Sequence, residues 1–210
     1  MQVLRRRSAL VLVAAWLLSA VAHAQAPTIP PFSADMTIKD SSRGTNMTGK
    51  MYWGGQKIRM DMDVPGHKVS IISDVDAQTT YMLMPEQKMY MEMSGKSIMH
   101  GPKMPDVKPF DPANPCGSMT DYTCEKQGSE TVNGRSTDKW LFKSKTGDTQ
   151  HTAWIDQKLH FPVRTVTSEG TQVDMTNIVE GSQDASLFQV PSGYQKLDMG
   201  RMMQGTGRDQ

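Results

Sequence analysis

The sequence predicts an all-β protein with little helix, and three observations carry that prediction. Short apolar segments alternate between two sides with a period of two, as strands do. Turn-forming residues fall between these segments at short intervals. The second half repeats the habit around Asn133-Gly134, a strong hairpin signal.

The clearest stretch is Tyr81 to Met93, YMLMPEQKMYMEM. Two apolar runs flank Pro85-Glu86-Gln87-Lys88, a turn with a proline. In the second run Met89, Met91 and Met93 face one way, Tyr90 and Glu92 the other. In the first run both sides are apolar, Tyr81 and Leu83 against Met82 and Met84, so cover is expected on both faces. Upstream, Ile58, Met60, Met62 and Val64 alternate with Arg59, Asp61 and Asp63. The pattern describes a sheet with one thioether face and one charged face.

The other elements follow in order. Residues 25–31 are a Pro-rich lead-in. A first strand runs from Phe32 to Lys39, and Asp40 to Gly44 turns the chain. Met47, Gly49, Met51 and Trp53 share a face, and Gly54-Gly55 closes a hairpin to the strand Lys57–Val64. Pro65-Gly66 turns again into a short strand, Val69 to Ser73. The reading to Met93 is an antiparallel meander of about six strands. Residues 94–125 form a Pro-rich cross-over, with at most a turn of helix at Lys96–His100. It is either a flap over the open face or a surface connector. Strands then follow at Ser129–Val132, Lys139–Lys145, Thr149–Asp156, Phe161–Thr167 and Thr171–Ile178. Ala185–Phe188 reads as a helical turn, and residues 199–210 as a disordered tail.

Arg5, Arg6 and Arg7 precede an apolar run from Ala9 to Val21, and Ala22-His23-Ala24 is an A-x-A cleavage signature. Residues 1–24 are therefore expected to be a secretory signal peptide, which places the mature chain in the periplasm or outside the cell. No second long apolar run follows, so no transmembrane span is expected in the mature chain. Losing the three leader arginines leaves 20 basic residues against 22 acidic ones, a net charge of −2. That balance excludes the basic footprint of a nucleic-acid binder. The length fits one domain, taken as a monomer. Cys116 and Cys124 are the only cysteines. In an exported chain such a pair reads as a disulfide, and no histidine lies between them to make a metal site instead.

Several short motifs carry a resemblance. They are Trp154-Ile155-Asp156, Phe161-Pro162-Val163-Arg164, Gly170, Asn177-Ile178, Leu187-Phe188 and Val190-Pro191-Ser192-Gly193-Tyr194. Their order resembles the C-terminal half of the periplasmic lipoprotein carriers, the Lol carrier superfamily. It is still closer to a related uncharacterised exported family that also has paired cysteines before an Asn-Gly-Arg turn. The resemblance spans roughly residues 32–198. It implies a single curved antiparallel sheet forming a half-open barrel, apolar on its concave side, which in the carriers holds acyl chains. This chain lacks their long N-terminal lid helix and puts methionine at the expected cavity positions.

The candidate groove is therefore lined by Met51, Met60, Met62, Met82 and Met84, with Met89, Met91 and Met93 on the next strand. Methionine is flexible and polarizable and suits an adaptable apolar surface. Trp53, Trp140 and Trp154 are candidates to offer an indole donor to a ligand headgroup, or to pack in core or rim. Arg164 is either a polar anchor inside the barrel or part of a solvated face. Three readings stay open for the thioethers: a site for a lipid, lipidated or other apolar ligand, a filled core in a structural envelope protein, or soft-metal ligands. Met-x-Met repeats suit Cu(I) or Ag(I), with Met199, Met202 and Met203 as further donors. His67, His100, His151 and His160 do not cluster with them. No catalytic motif or phosphate-binding loop is present. The expectation is a binding protein with no catalytic residues, no cofactor and no assigned metal ligands, rather than an enzyme.

Overall fold

The computed structural model describes residues 29–94, 115–117, 119–147 and 149–197. The expected leader, most of the lead-in, the bulk of the cross-over with its helical turn, and the tail lie outside the described residues.

Six consecutive strands form the predicted meander: β1 (Phe32–Asp40), β2 (Thr45–Trp53), β3 (Lys57–Val64), β4 (His67–Asp74), β5 (Thr79–Met84) and β6 (Met89–Ser94). The second half gives β7 (Tyr122–Val132), β8 (Arg135–Ser144), β9 (Gln150–Asp156), β10 (Pro162–Thr167) and β11 (Thr171–Glu180). A 3-10 turn at Ala185–Phe188 and a two-residue strand, β12 (Gln195–Lys196), follow as the last elements among the described residues. The twelve strands among the described residues belong to one sheet, in the order β12-β6-β5-β4-β3-β2-β1-β11-β10-β9-β8-β7. Every pairing is antiparallel except β12 with β6. β1 joins the two halves, pairing β2 on one side and β11 on the other.

Two corrections concern boundaries. The expected cross-over, 94–125, gives way to β7 at Tyr122, and the strand expected at 129–132 starts seven residues earlier. β7 is an exposed edge strand whose early residues are mostly polar, so it shows no apolar alternation. Likewise β8 begins at Arg135 rather than Lys139. Between them Asn133 and Gly134 both take positive φ, 52° and 78°, as a two-residue hairpin turn demands.

The sheet is rolled. On a flat sheet β2 and β10 would stand three strand spacings apart, about 14 Å. Yet the Trp53 ring lies 6.1 Å from that of Phe161, immediately before β10, and Phe161 meets Phe32 edge-on at 5.2 Å. The Asn133 side chain, beyond β7, donates to the Met175 carbonyl of β11 at 2.8 Å, four strands away. Gly49 allows one tight bend: a Cβ there would run into the Asp61 carbonyl of β3.

The main core gathers Phe32, Ala34, Met51, Trp53 and Ile58 with Leu159, Phe161, Val163 and Met175. Each fully buried large side chain contributes roughly 1.5–3 kcal/mol. A second cluster holds Phe142, Ala153 and Ile155 under Cys116, Met119, Tyr122 and Trp140. The Cys116–Cys124 disulfide forms, with Cα atoms 5.8 Å apart. A third cluster, Ile72 and Leu83 under Phe188, lies on the back of β4 and β5.

Candidate functional site

Directly paired residues of an antiparallel ladder share a face, so the register fixes which side chains assemble. From β1 to β6 the ladder is regular. One row reads Ala34, Met51, Met60, Ile71, Met82, Met91 across six strands. Two residues along each strand, a second row begins Met36, Gly49, Met62, Val69 and ends with the opposed pair Met84 and Met89. The predicted sidedness holds: all the candidate methionines stand on one face, and neither row carries a charge. Met93 is on the same face, opposite Thr80.

Burial divides this face. Met51 is 4% exposed and Trp53 2%, both inside the main core, and the Trp53 indole donates to the Ile29 carbonyl at 3.2 Å. These two candidates are core, not groove lining, because the rolled sheet packs Phe161 and Leu159 against this end of β2. Met60 is the transition, half-buried and packed against the core. Met62, Met82, Met84, Met89, Met91 and Met93 are all half-buried. Val69 and Ile71 stand between them on β4 and complete the patch. The sequence showed the β4 strand, but only the cross-strand register makes those two residues neighbours of the thioethers.

The back of the same strands is covered around Ile72 and Leu83. Tyr81, Tyr90 and Tyr52 surround Ile72 and Leu83, and Leu187, Phe188 and Tyr194 cover them. Gly54 makes this possible, since a Cβ there would fall 2.7 Å from the Phe188 ring. Arg59 fastens the cover: its guanidinium donates to the Leu187 carbonyl at 3.0 Å and to Asp61 at 2.8 Å. The back is thus charged on β3 but aromatic on β5 and β6, a refinement of the simple charged face.

The remaining tryptophans separate. Trp140 pairs with Ala153, Ala153 with Thr165, Thr165 with Val173 and Val173 with Ile38, so Trp140 shares the thioether face, although in the opposite half. There it packs in the disulfide cluster, with Lys126 6.0 Å from its ring centroid. Trp154 is a correction. Adjacent to Ala153 on β9, it points to the other face, where its indole donates to Glu130 at 2.6 Å and Lys139 and Arg164 approach its ring. Arg164 pairs with Asp174 on that outer face, which is the solvated alternative.

Two titratable groups are shifted near the cores. Burial alone would raise Asp156, but the Arg135 guanidinium and the N–H groups of Leu159 and Lys158 hold its carboxyl below the ordinary value. Arg135 also donates to Glu180 at 2.9 Å, tying β8 to β11. His151 stacks on Phe142 at 4.7 Å, and burial lowers its pKa. Neither group stands on the thioether patch.

A family model described as "Domain of unknown function (DUF4412)" matches residues 32–160. The chain belongs to the DUF4412 family. The matched stretch contains the methionine rows of β1 to β6. No curated protein matches this DUF4412 chain. Among solved structures, an uncharacterized conserved protein from Thermus thermophilus is similar over 80% of this chain and 90% of its own, at 11% identity and TM-score 0.56. MucB is similar over 82% of this chain but 61% of its own length, at 14% identity and TM-score 0.53. A LolA superfamily protein from Nitrosomonas europaea aligns over 77% of this chain and 90% of its own, at 8% identity and TM-score 0.40. At these identities the likeness is one of fold. The DUF4412 chain is a single curved antiparallel sheet of half-open form, a fold it shares with the Thermus thermophilus protein and MucB. Among the described residues no helix is long and apolar enough to cross a membrane.

Proposed function

We propose that this chain is an exported binding protein that holds an acyl chain or similar apolar group, non-covalently, against the thioether face. One observation carries the reading: the rows from Met60 to Met91 and from Met62 to Met89 are uncharged, apolar and half-buried, whereas the back of the same strands carries the charges Arg59, Asp61, Asp63, Lys68 and Glu92 and packs its apolar residues under Phe188. Contiguous apolar surface of this kind marks a place where something apolar docks. From β3 to β6 the rows cross three strand spacings, about 14 Å, which suits an extended hydrocarbon chain. Each ligand methylene that leaves water against it contributes roughly 0.8 kcal/mol. At β2 the rows run into the core around Trp53 and Phe161, which closes that end.

Export is part of the same reading, on the strength of the leader-like residues 1–24. So is a non-enzymatic role, because the rows offer no nucleophile, acid or base. The resemblance of roughly residues 32–198 to the periplasmic lipoprotein carriers supports both. Native mass spectrometry of the chain purified from its own cell envelope tests the reading. A co-purified lipid mass is the expected result, and protein that is bare under gentle release contradicts it.

A further inference from the structure

We propose that the β5–β6 hairpin also forms a soft-metal site, in which Met82, Met84, Met89 and Met91 bind Cu(I), or its analogue Ag(I), through thioether sulfur. This goes beyond the apolar-ligand reading and does not depend on it.

An apolar groove has no need of sulfur. Hydrocarbon area alone would hold an acyl chain, and valine or isoleucine fits a strand better than methionine. β4 uses them, with Val69 and Ile71 in the middle of the two rows. The flanking strands do not: Met60, Met62, Met82, Met84, Met89 and Met91 are thioethers at every position of those rows. On the hairpin, Met82 is the direct partner of Met91, and Met84 of Met89. Direct partners have Cβ atoms about 4.5–5.5 Å apart, and the two pairs are about 7 Å apart along the strands. Three rotatable bonds let the sulfurs converge on one ion from there.

The donor set selects the metal. Thioether is a soft, neutral ligand that favours monovalent copper over zinc, calcium or magnesium. Among the described residues no group of three or more His, Cys, Asp or Glu is placed to hold a metal. Both cysteines are bound in the disulfide, so thiolate does not compete. The hairpin is a firm frame: Lys88 N–H donates to the Pro85 carbonyl at 3.2 Å, and β12 pairs the outer edge of β6.

Ag(I) titration of the full, disulfide-bonded chain in chloride-free buffer tests the site, read by native mass spectrometry and by the methionine methyl signals in NMR. The expected result is one tightly held Ag(I), with shifts centred on Met82, Met84, Met89 and Met91. Leucine keeps the apolar volume and removes the sulfur. The double variants Met82→Leu/Met91→Leu and Met84→Leu/Met89→Leu should each lower Ag(I) affinity at least tenfold, and the quadruple variant at least 100-fold. Urea unfolding midpoints of the three variants, measured alongside, separate lost sulfur donors from a lost fold. A wild-type chain that takes up no Ag(I), or leucine variants that bind it undiminished, would overturn the proposal.

Discussion

Met82 stands directly across the β5–β6 hairpin from Met91, on the face opposite Tyr81 and Tyr90, which are half-buried and pack with Ile72 and Leu83 in the cluster that Phe188 joins. The two sides of one hairpin therefore have different tasks. One side is finished by the chain itself. The other presents half-buried sulfur.

Met91→Asp places a charge in the middle of an uncharged row. Because Met91 is half-buried rather than core, the fold should survive, with a loss of about 1 kcal/mol or less. Ligand occupancy should collapse. Comparing lipid recovered per mole of folded wild-type and variant protein checks this, and unchanged occupancy in a folded variant moves the groove elsewhere.

Gly49→Ala should damage the fold, although alanine is small. Its Cβ would meet the Asp61 carbonyl, which is backbone and has no rotamer to escape into. The expected cost is roughly 1–3 kcal/mol in urea unfolding. Gly44→Ala is a useful comparison, since its added Cβ meets nothing and only its φ of 65° resists.

Arg135→Ala leaves the Asp156 carboxylate, 2% exposed, without its cation. The expected loss is about 3 kcal/mol. The pH dependence has a definite sign. Asp156 titrates lower in the folded chain than in the unfolded one, so its contribution is present above about pH 4 and is lost as pH falls through the folded value. Unfolding midpoints measured between pH 2 and pH 6 should show this dependence in wild type and a weaker one in Asp156→Asn.

His151 acts in a higher window. Burial lowers its pKa, so the unfolded chain takes up the proton first and stability declines as pH drops below about 6.5. His151→Phe keeps an aromatic ring against Phe142 and should flatten the slope between pH 7 and pH 5. An unchanged slope in that variant would contradict the assignment.

Much of the fold could be read directly from the residues. β3 was legible to its ends, because Ile58, Met60, Met62 and Val64 alternate with charges and two turn pairs bound it. The Asn133-Gly134 hairpin was legible for the same local reason. β7 was not: an edge strand need not bury a face, so its polar start has no period to show. The sidedness of the methionines followed from alternation within each strand. What alternation does not specify is register and roll. Those put Val69 and Ile71 among the thioethers, took Met51 and Trp53 into the core against Phe161, and set Trp154 on the outer face beside Arg164. The cover of Phe188 over Gly54 was also invisible, since it joins residues 134 positions apart.

The central claim is that the thioether face, and not its back, receives the ligand. Photo-crosslinking with a diazirine-bearing fatty acid, mapped residue by residue, tests it most directly. Adducts are expected on Met62, Met82, Met84, Met89 and Met91, and excess unlabelled fatty acid should suppress them. Adducts confined to Tyr81, Tyr90 or Trp154, or labelling that competitor leaves unchanged, would contradict it.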